Sequence, residues 1–192
     1  MNESGKPHGA GRSTFDLIDT DRFFEVLKVR KSMVLLDLGA GSGDYTIPLA
    51  EATGPEGRVF AVDAWEEGLA RVRQRASGRH LRNISTLVAD VNKHIPVDDR
   101  TVDICLMATV LHDLLREGTG ETVLRETLRV LRPGGRLAVL EFKKIEGSPG
   151  PPLQIKLSEK DVENLLTPFG FRTDSVSDMG EYHYLFIASP PG

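Results

Sequence analysis

The chain has 192 residues, 40% hydrophobic and 27% charged, with a net charge of −4 and a pI near 5.8. This composition suits one globular domain with one substantial core, and the acidic balance argues against an electrostatic nucleic-acid binder. The one cysteine, Cys105, has no partner for an internal disulfide, which fits a reducing, cytoplasmic setting.

Residues 1–14, "MNESGKPHGAGRST", lack the apolar core of a secretory signal and read as a flexible tail, leaving 15–192 as a single domain. No stretch approaches the roughly 18 apolar residues of a membrane span. Phe15, Ile18, Phe23, Phe24 and Leu27 predict an apolar helical cover, expected to close over a ligand. Next, "MVLLDL" is nearly all apolar, as a strand buried on both faces must be. "GAGSGDY" follows, and a helix is expected from about Asp44 to Ala52, with Pro48 close to its start. "RVFAVD" is a second strand. Residues 65–77 are a helix, with Trp65, Leu69, Val72 and Ala76 on one face, acids early and arginines late. "NISTLVAD" and "TVDICLMAT" are two more strands. Residues 122–131 read as a helix stopped by "RPGG", and "RLAVLEF" as the fifth strand. "GSPGPPLQIK" reads as a surface loop. Ser158 starts a last helix that ends near Gly170, and "FRTDSVSD" and "YHYLFIAS" pair as a hairpin.

Strand–helix alternation means βαβ units, hence an α/β, Rossmann-like parallel sheet with helices on both faces, to which the hairpin adds an antiparallel strand. Ligands of such sheets sit beyond the carboxyl ends of the strands, where "DLGAGSGD" lies. Gly39, Gly41 and Gly43 permit a tight turn and let backbone touch a ligand. The dinucleotide pattern G-x-G-x-x-G would require glycine where Asp44 stands, and a carboxylate beside a pyrophosphate repels it. Asp63 ends the second strand, 20 residues past Gly43, where it can accept from both hydroxyls of a ribose. Asp90 ends "LVAD" at the same edge and can accept from the exocyclic amine of an adenine. Three strands delivering such groups to one edge point to an adenosine compound.

As an ordered set, "LDLGAGSGDY", "VFAVD", "LVAD", "VDICLMATVLHDL" and "VLRPGGRLAVLEF" resemble the motifs of class I S-adenosylmethionine-dependent methyltransferases. The likeness is to the small-molecule branch, which includes quinone-biosynthesis C-methyltransferases, and covers roughly residues 15–190. It implies a seven-stranded sheet of order 3-2-1-4-5-7-6 with strand 7 antiparallel, S-adenosyl-L-methionine as cofactor and a small-molecule substrate. It further implies that Asp37 and Gly39 help hold the methionine amino group, with Ala40, Gly41 and Gly43 in the turn against the cofactor. Asp63 takes the ribose, Ala64 or Trp65 lies beside the adenine, Asp90 and Val91 bind its edge, and Met107 and Ala108 sit near the methionine portion.

The best candidate for acid–base work is His112, with Asp113 beside it; a base, an orienting group and a structural histidine all remain open. His183, between two tyrosines, reads as structural, and Cys105 as core. His8, His80 and His94 lack ligand spacing, so no metal is expected. Without an "NPPY"-like stretch after "CLMAT", amino-methylating nucleic-acid enzymes are a poor match, and one cysteine disfavours arsenite methyltransferases. A lid must come from residues 1–30, the loop after His112, and "KKIEGSPGPPLQIK". A binding subunit without turnover is the alternative function. The acceptor atom (C, N, O or S) and self-association stay open.

Overall fold

The first strand shows how the sequence sets the layers. In β1 (Val34–Leu38), Leu36 and Leu38 enter one core cluster and Leu35 the other, because alternate side chains face opposite sides of a sheet. The computed structural model describes residues 13–192. Around β1 lie β2 (Arg58–Asp63), β3 (Ile84–Val88), β4 (Val102–Ala108), β5 (Leu131–Phe142), β6 (Arg172–Asp178) and β7 (His183–Ser189). They form one sheet of order β3-β2-β1-β4-β5-β7-β6, as the sequence predicts. β7 is antiparallel to both β5 and β6, while the joins from β3 through β5 are parallel.

One face is covered by α1 (Thr20–Leu27), α2 (Thr46–Thr53) and α3 (Glu66–Gly78), through Phe23, Leu27, Leu49, Leu69 and Val72. The other is covered by α4 (Leu111–Arg116), α5 (Gly120–Val130) and α6 (Glu159–Leu166), through Leu111, Leu114, Val123, Leu124, Val162 and Leu166. A capping box starts α6, in which Ser158 and Asp161 satisfy each other's backbone N–H, and Gly170 in the left-handed region closes the turn after it. Among the described residues no helix is long and apolar enough to cross a membrane.

Four expectations need correction. The helix after the glycine turn begins at Thr46, two residues late, which puts Pro48 third in α2, where its missing N–H costs nothing. "RPGG" ends α5 at Val130, but it does not lie outside the sheet. Leu131 already pairs with Val102, and the chain then loops out until Arg136 pairs with Ile104. Pro133 fits such an irregularity because no ladder N–H is lost, and a Cβ on Gly135 would meet the Val102 carbonyl at 2.8 Å. β3 ends at Val88, so Asp90 lies two residues beyond the strand. The apolar cover is built into the core instead of lying over a cleft: Phe23 and Leu27 are fully buried, and Phe15 and Phe23 pack on Tyr45. Most of the tail expectation falls on residues 1–12, which lie outside the described residues.

Candidate active site

A cleft of about 180 Å³ opens at the carboxyl edge of β1, β2 and β4. Its walls are Gly39–Ser42, Asp44 and Tyr45 from the turn, Asp63 and Ala64, Asp90–Asn92, Ala108–Val110, and Asp113, Leu114 and Glu117 around α4. Ser13 and Thr14 close one side, where the Thr14 hydroxyl meets the Tyr45 hydroxyl at 2.8 Å.

The three glycines divide the work. All have positive φ, of 78°, 54° and 84°, so each serves a left-handed backbone that side chains disfavour. At Gly39 a Cβ would strike Val110 at 2.9 Å, and at Gly43 it would strike Val72 of α3 at 2.7 Å. Those two let elements pack. Nothing lies within 4 Å of a Cβ on Gly41, which faces the cleft. Bare backbone is therefore presented to a ligand at Gly41.

Asp63 holds that turn in place. One of its oxygens accepts from the Gly41 N–H at 2.8 Å and the other from the Trp65 N–H at 2.8 Å. Each carboxylate oxygen keeps a second lone pair for a ligand hydroxyl. Asp44 lines the cleft with its carboxylate already paired, for Arg75 of α3 meets it at 2.6 Å and also donates to the Ser42 carbonyl at 2.8 Å. Its charge is thus compensated, which weakens the electrostatic argument against a pyrophosphate at this turn.

Asp37 is buried beneath the turn and accepts from the Thr46 hydroxyl at 2.5 Å. Burial pushes its pKa up to about 7, against the Thr46 bond, and the charges of Asp63 and Asp44 add to the rise. A cation arriving at the cleft would draw it back toward the ionised form. Asp90 is exposed, accepts from the Asn92 N–H at 3.1 Å and pairs with Lys93 at 3.1 Å.

Some expected residues do not reach the cleft. Trp65 is buried, with its ring packed where a Cβ on Gly68 would fall and Arg71 5.1 Å from its centroid, so Ala64 alone forms that wall. Met107 points into the core and Ala108 takes the edge. Gly43 and Asp37 support the turn from behind. His112 is 6% exposed and is not in the wall. Its Nδ1 lies 3.0 and 2.9 Å from the two Glu141 oxygens, and its backbone N–H donates to the same carboxylate at 3.2 Å. Burial pulls the His112 pKa down, but the hydrogen bond and charge of Glu141 outweigh it, so it sits above the ordinary histidine value. Glu141 itself is fully buried. Residues not foreseen here are Thr14, Tyr45 and Ser42, and the acids Glu117 and Glu141.

Residues 35–135 match the family described as a methyltransferase domain, just over half of the chain. The chain belongs to this family. A demethylmenaquinone methyltransferase of Lactobacillus johnsonii is 34% identical over 120 residues, 62% of this chain and 48% of that protein. A ubiquinone/menaquinone biosynthesis C-methyltransferase of Ectopseudomonas mendocina is 37% identical over 134 residues, 69% of this chain and 49% of that protein. The methyltransferase chain thus spans about half the length of the curated relatives it matches. Among solved structures, a SAM dependent methyltransferase from Aquifex aeolicus superposes with a TM-score of 0.83 at 32% identity, covering 92% of each chain.

Proposed function

We propose that the protein transfers a methyl group from S-adenosylmethionine to a small molecule, and that a quinol-type ring is the acceptor class. The observation that carries this reading is the open backbone at Gly41, tied to Asp63 at the cleft edge. The family membership and the names of the quinone-pathway relatives support it. When bound, the cofactor supplies a methyl already activated by its sulfonium.

The residues present fit such a group. Gly39–Gly41 offer backbone to its methionine part, and the rise in Asp37 is reversed by a neighbouring ammonium. Asp63 has lone pairs left for ribose hydroxyls, Ala64 and Val91 form apolar walls for an adenine, and Asp90 can accept from its amine. Ala108 bounds the methionine end. Much of the rate can come from such alignment. We assign His112 to holding α4 through Glu141, ahead of proton abstraction, because its Nδ1 is committed and its ring lies off the wall. A cytoplasmic setting belongs to the same reading.

Calorimetry with S-adenosylhomocysteine tests it. Binding at micromolar strength is expected, with a rise in melting temperature. Asp63→Ala should weaken binding by about 1–3 kcal/mol through lost charge-assisted bonds. Heat with NADH and none with S-adenosylhomocysteine would sink the reading, and labelled methyl that never appears on a reduced quinone would sink the acceptor class.

A further inference from the structure

The side chains around Phe142 carry uncompensated polarity. His183 is fully buried, and neither of its ring nitrogens has a hydrogen-bond partner among the described residues. Native proteins rarely leave such atoms unpaired. Lys156 is 2% exposed. Its Nζ donates to the Ile145 carbonyl at 3.4 Å, the Ser148 carbonyl at 3.3 Å and the Ser148 hydroxyl, and among the described residues no carboxylate pairs with it. A buried ammonium held only by neutral oxygens is costly.

One aromatic ring joins the two. The Phe142 centroid lies 4.6 Å from the His183 ring and 5.8 Å from the Lys156 Nζ. Phe142 pairs with His183 across β5 and β7, two positions beyond Leu140, which pairs with Ala108 of the cleft wall. The cluster therefore lies at the end of β5, one strand over from the cleft wall at Ala108. Every acceptor on Lys156 belongs to the loop that follows β5 and covers the ring. In that loop Gly147 and Gly150 have φ of 71° and 102°, and a Cβ on Gly150 would come within 2.6 Å of Phe142. Among the described residues, the loop's own neutral oxygens are thus the hydrogen-bond acceptors of the ammonium.

We propose that Lys156 and His183 form a subsite for an ionised oxygen of the methyl acceptor, a phenolate or a carboxylate, with Phe142 as its floor. The oxygen replaces Ser148 at the ammonium and receives the imidazole N–H, so one ligand atom supplies the missing counter-charge and the missing partner. The proposal rests on methyl transfer in that cleft. The other ionisable groups around the ring are engaged. His112 is bound to Glu141, Lys143 pairs with Asp178 at 2.9 Å, and the Tyr184 hydroxyl donates to the Leu157 carbonyl at 2.9 Å. Burial and the nearby Lys143 and Lys156 hold the His183 pKa down at about 4, so at neutral pH the imidazole is uncharged and keeps one N–H to donate. On a conjugated ring an ionised oxygen also enriches the neighbouring carbons in electron density, which suits a carbon acceptor.

The test uses the full chain with 4-nitrophenol, whose yellow phenolate reports its own ionisation. At a pH near the probe's pKa the protein should increase the phenolate band, with and without S-adenosylhomocysteine. Lys156→Met and His183→Phe should each weaken binding about tenfold or more, while keeping or raising the melting temperature because a strained buried polar group is gone. Lys156→Gln serves if the Met variant does not fold. Competition by benzoate extends the subsite to carboxylates, and its failure narrows the subsite to phenolates. The proposal is overturned if the band does not change, if both variants bind like the parent, or if 4-nitroanisole binds as well as nitrophenol. S-adenosylhomocysteine titrated into the same variants keeps the two readings apart. Unchanged cofactor binding with unchanged probe binding sinks the subsite alone, whereas loss-prone probe binding without cofactor binding sinks the proposed function alone.

Discussion

At the scale of single residues, the buried pair of His112 and Glu141 sets the behaviour of α4. His112 is held above its unfolded pKa, so the native state binds its proton more tightly than the unfolded chain does. That contribution is complete below the unfolded value of about 6.5 and fades as pH climbs through the folded one. Glu141→Gln should therefore cost about 1–3 kcal/mol in acid, less in alkali, when unfolding is followed from pH 5.5 to 9. His112→Ala strands a buried carboxylate and should cost roughly 3–5 kcal/mol. An unchanged melting temperature in His112→Ala would show that the pair does not support α4. Glu141 was within reach of sequence reasoning: a lone acid inside "RLAVLEF", a strand otherwise apolar on both faces, requires a buried partner. Lys156 was not. Nothing in "GSPGPPLQIK" marks which of its side chains turns inward, because that depends on how the loop settles on Phe142.

Among the elements, the glycine turn contains two sites that look equivalent in sequence and differ in space. Gly43→Ala drives a methyl into Val72 and should mainly destabilise the fold, by a few kcal/mol, with Val72→Ala recovering part of the loss. Gly41→Ala meets no atom and pays only the left-handed backbone, about 1–2 kcal/mol, yet it should abolish most S-adenosylhomocysteine binding. Thermal melts beside calorimetry decide; equal effects of both substitutions on binding would refute the division. The turn, the strand runs and Asp63 were legible because each is a local pattern. The start of β5 was not. Pro133 and two glycines signal a stop, and they do stop α5, but the pairing of Leu131 with Val102 is a long-range contact that no window of sequence contains.

Taken whole, the molecule separates its charge. Five acids line the cleft; Arg75, Lys93 and Arg116 pair with Asp44, Asp90 and Asp113, which leaves Asp63 and Glu117 without a cation among the described residues, while Lys28, Arg30, Arg132 and Arg136 gather around Asp103 at the opposite sheet edge. S-adenosylmethionine carries one net positive charge and S-adenosylhomocysteine none, so under the proposed function the unpaired Asp63 and Glu117 should favour the first ligand over the second. Raising salt from about 0.05 to about 0.5 M, which shortens the Debye length several-fold, should weaken the first ligand several-fold and the second little. Equal salt slopes would show that the field plays no part. The strand order carries a kinetic consequence as well. Of the seven strands β7 is translated last, yet it takes an interior place between β5 and β6. Until it arrives, β5 presents an open row of N–H and C=O groups, flanked by apolar side chains, to any neighbouring nascent chain. The cleft can be shaped early from β1, β2 and β4, but protection from self-association waits for the final strand. Slow synthesis, low temperature or a chaperone that shields that edge should therefore improve the soluble yield more than any change at the cleft.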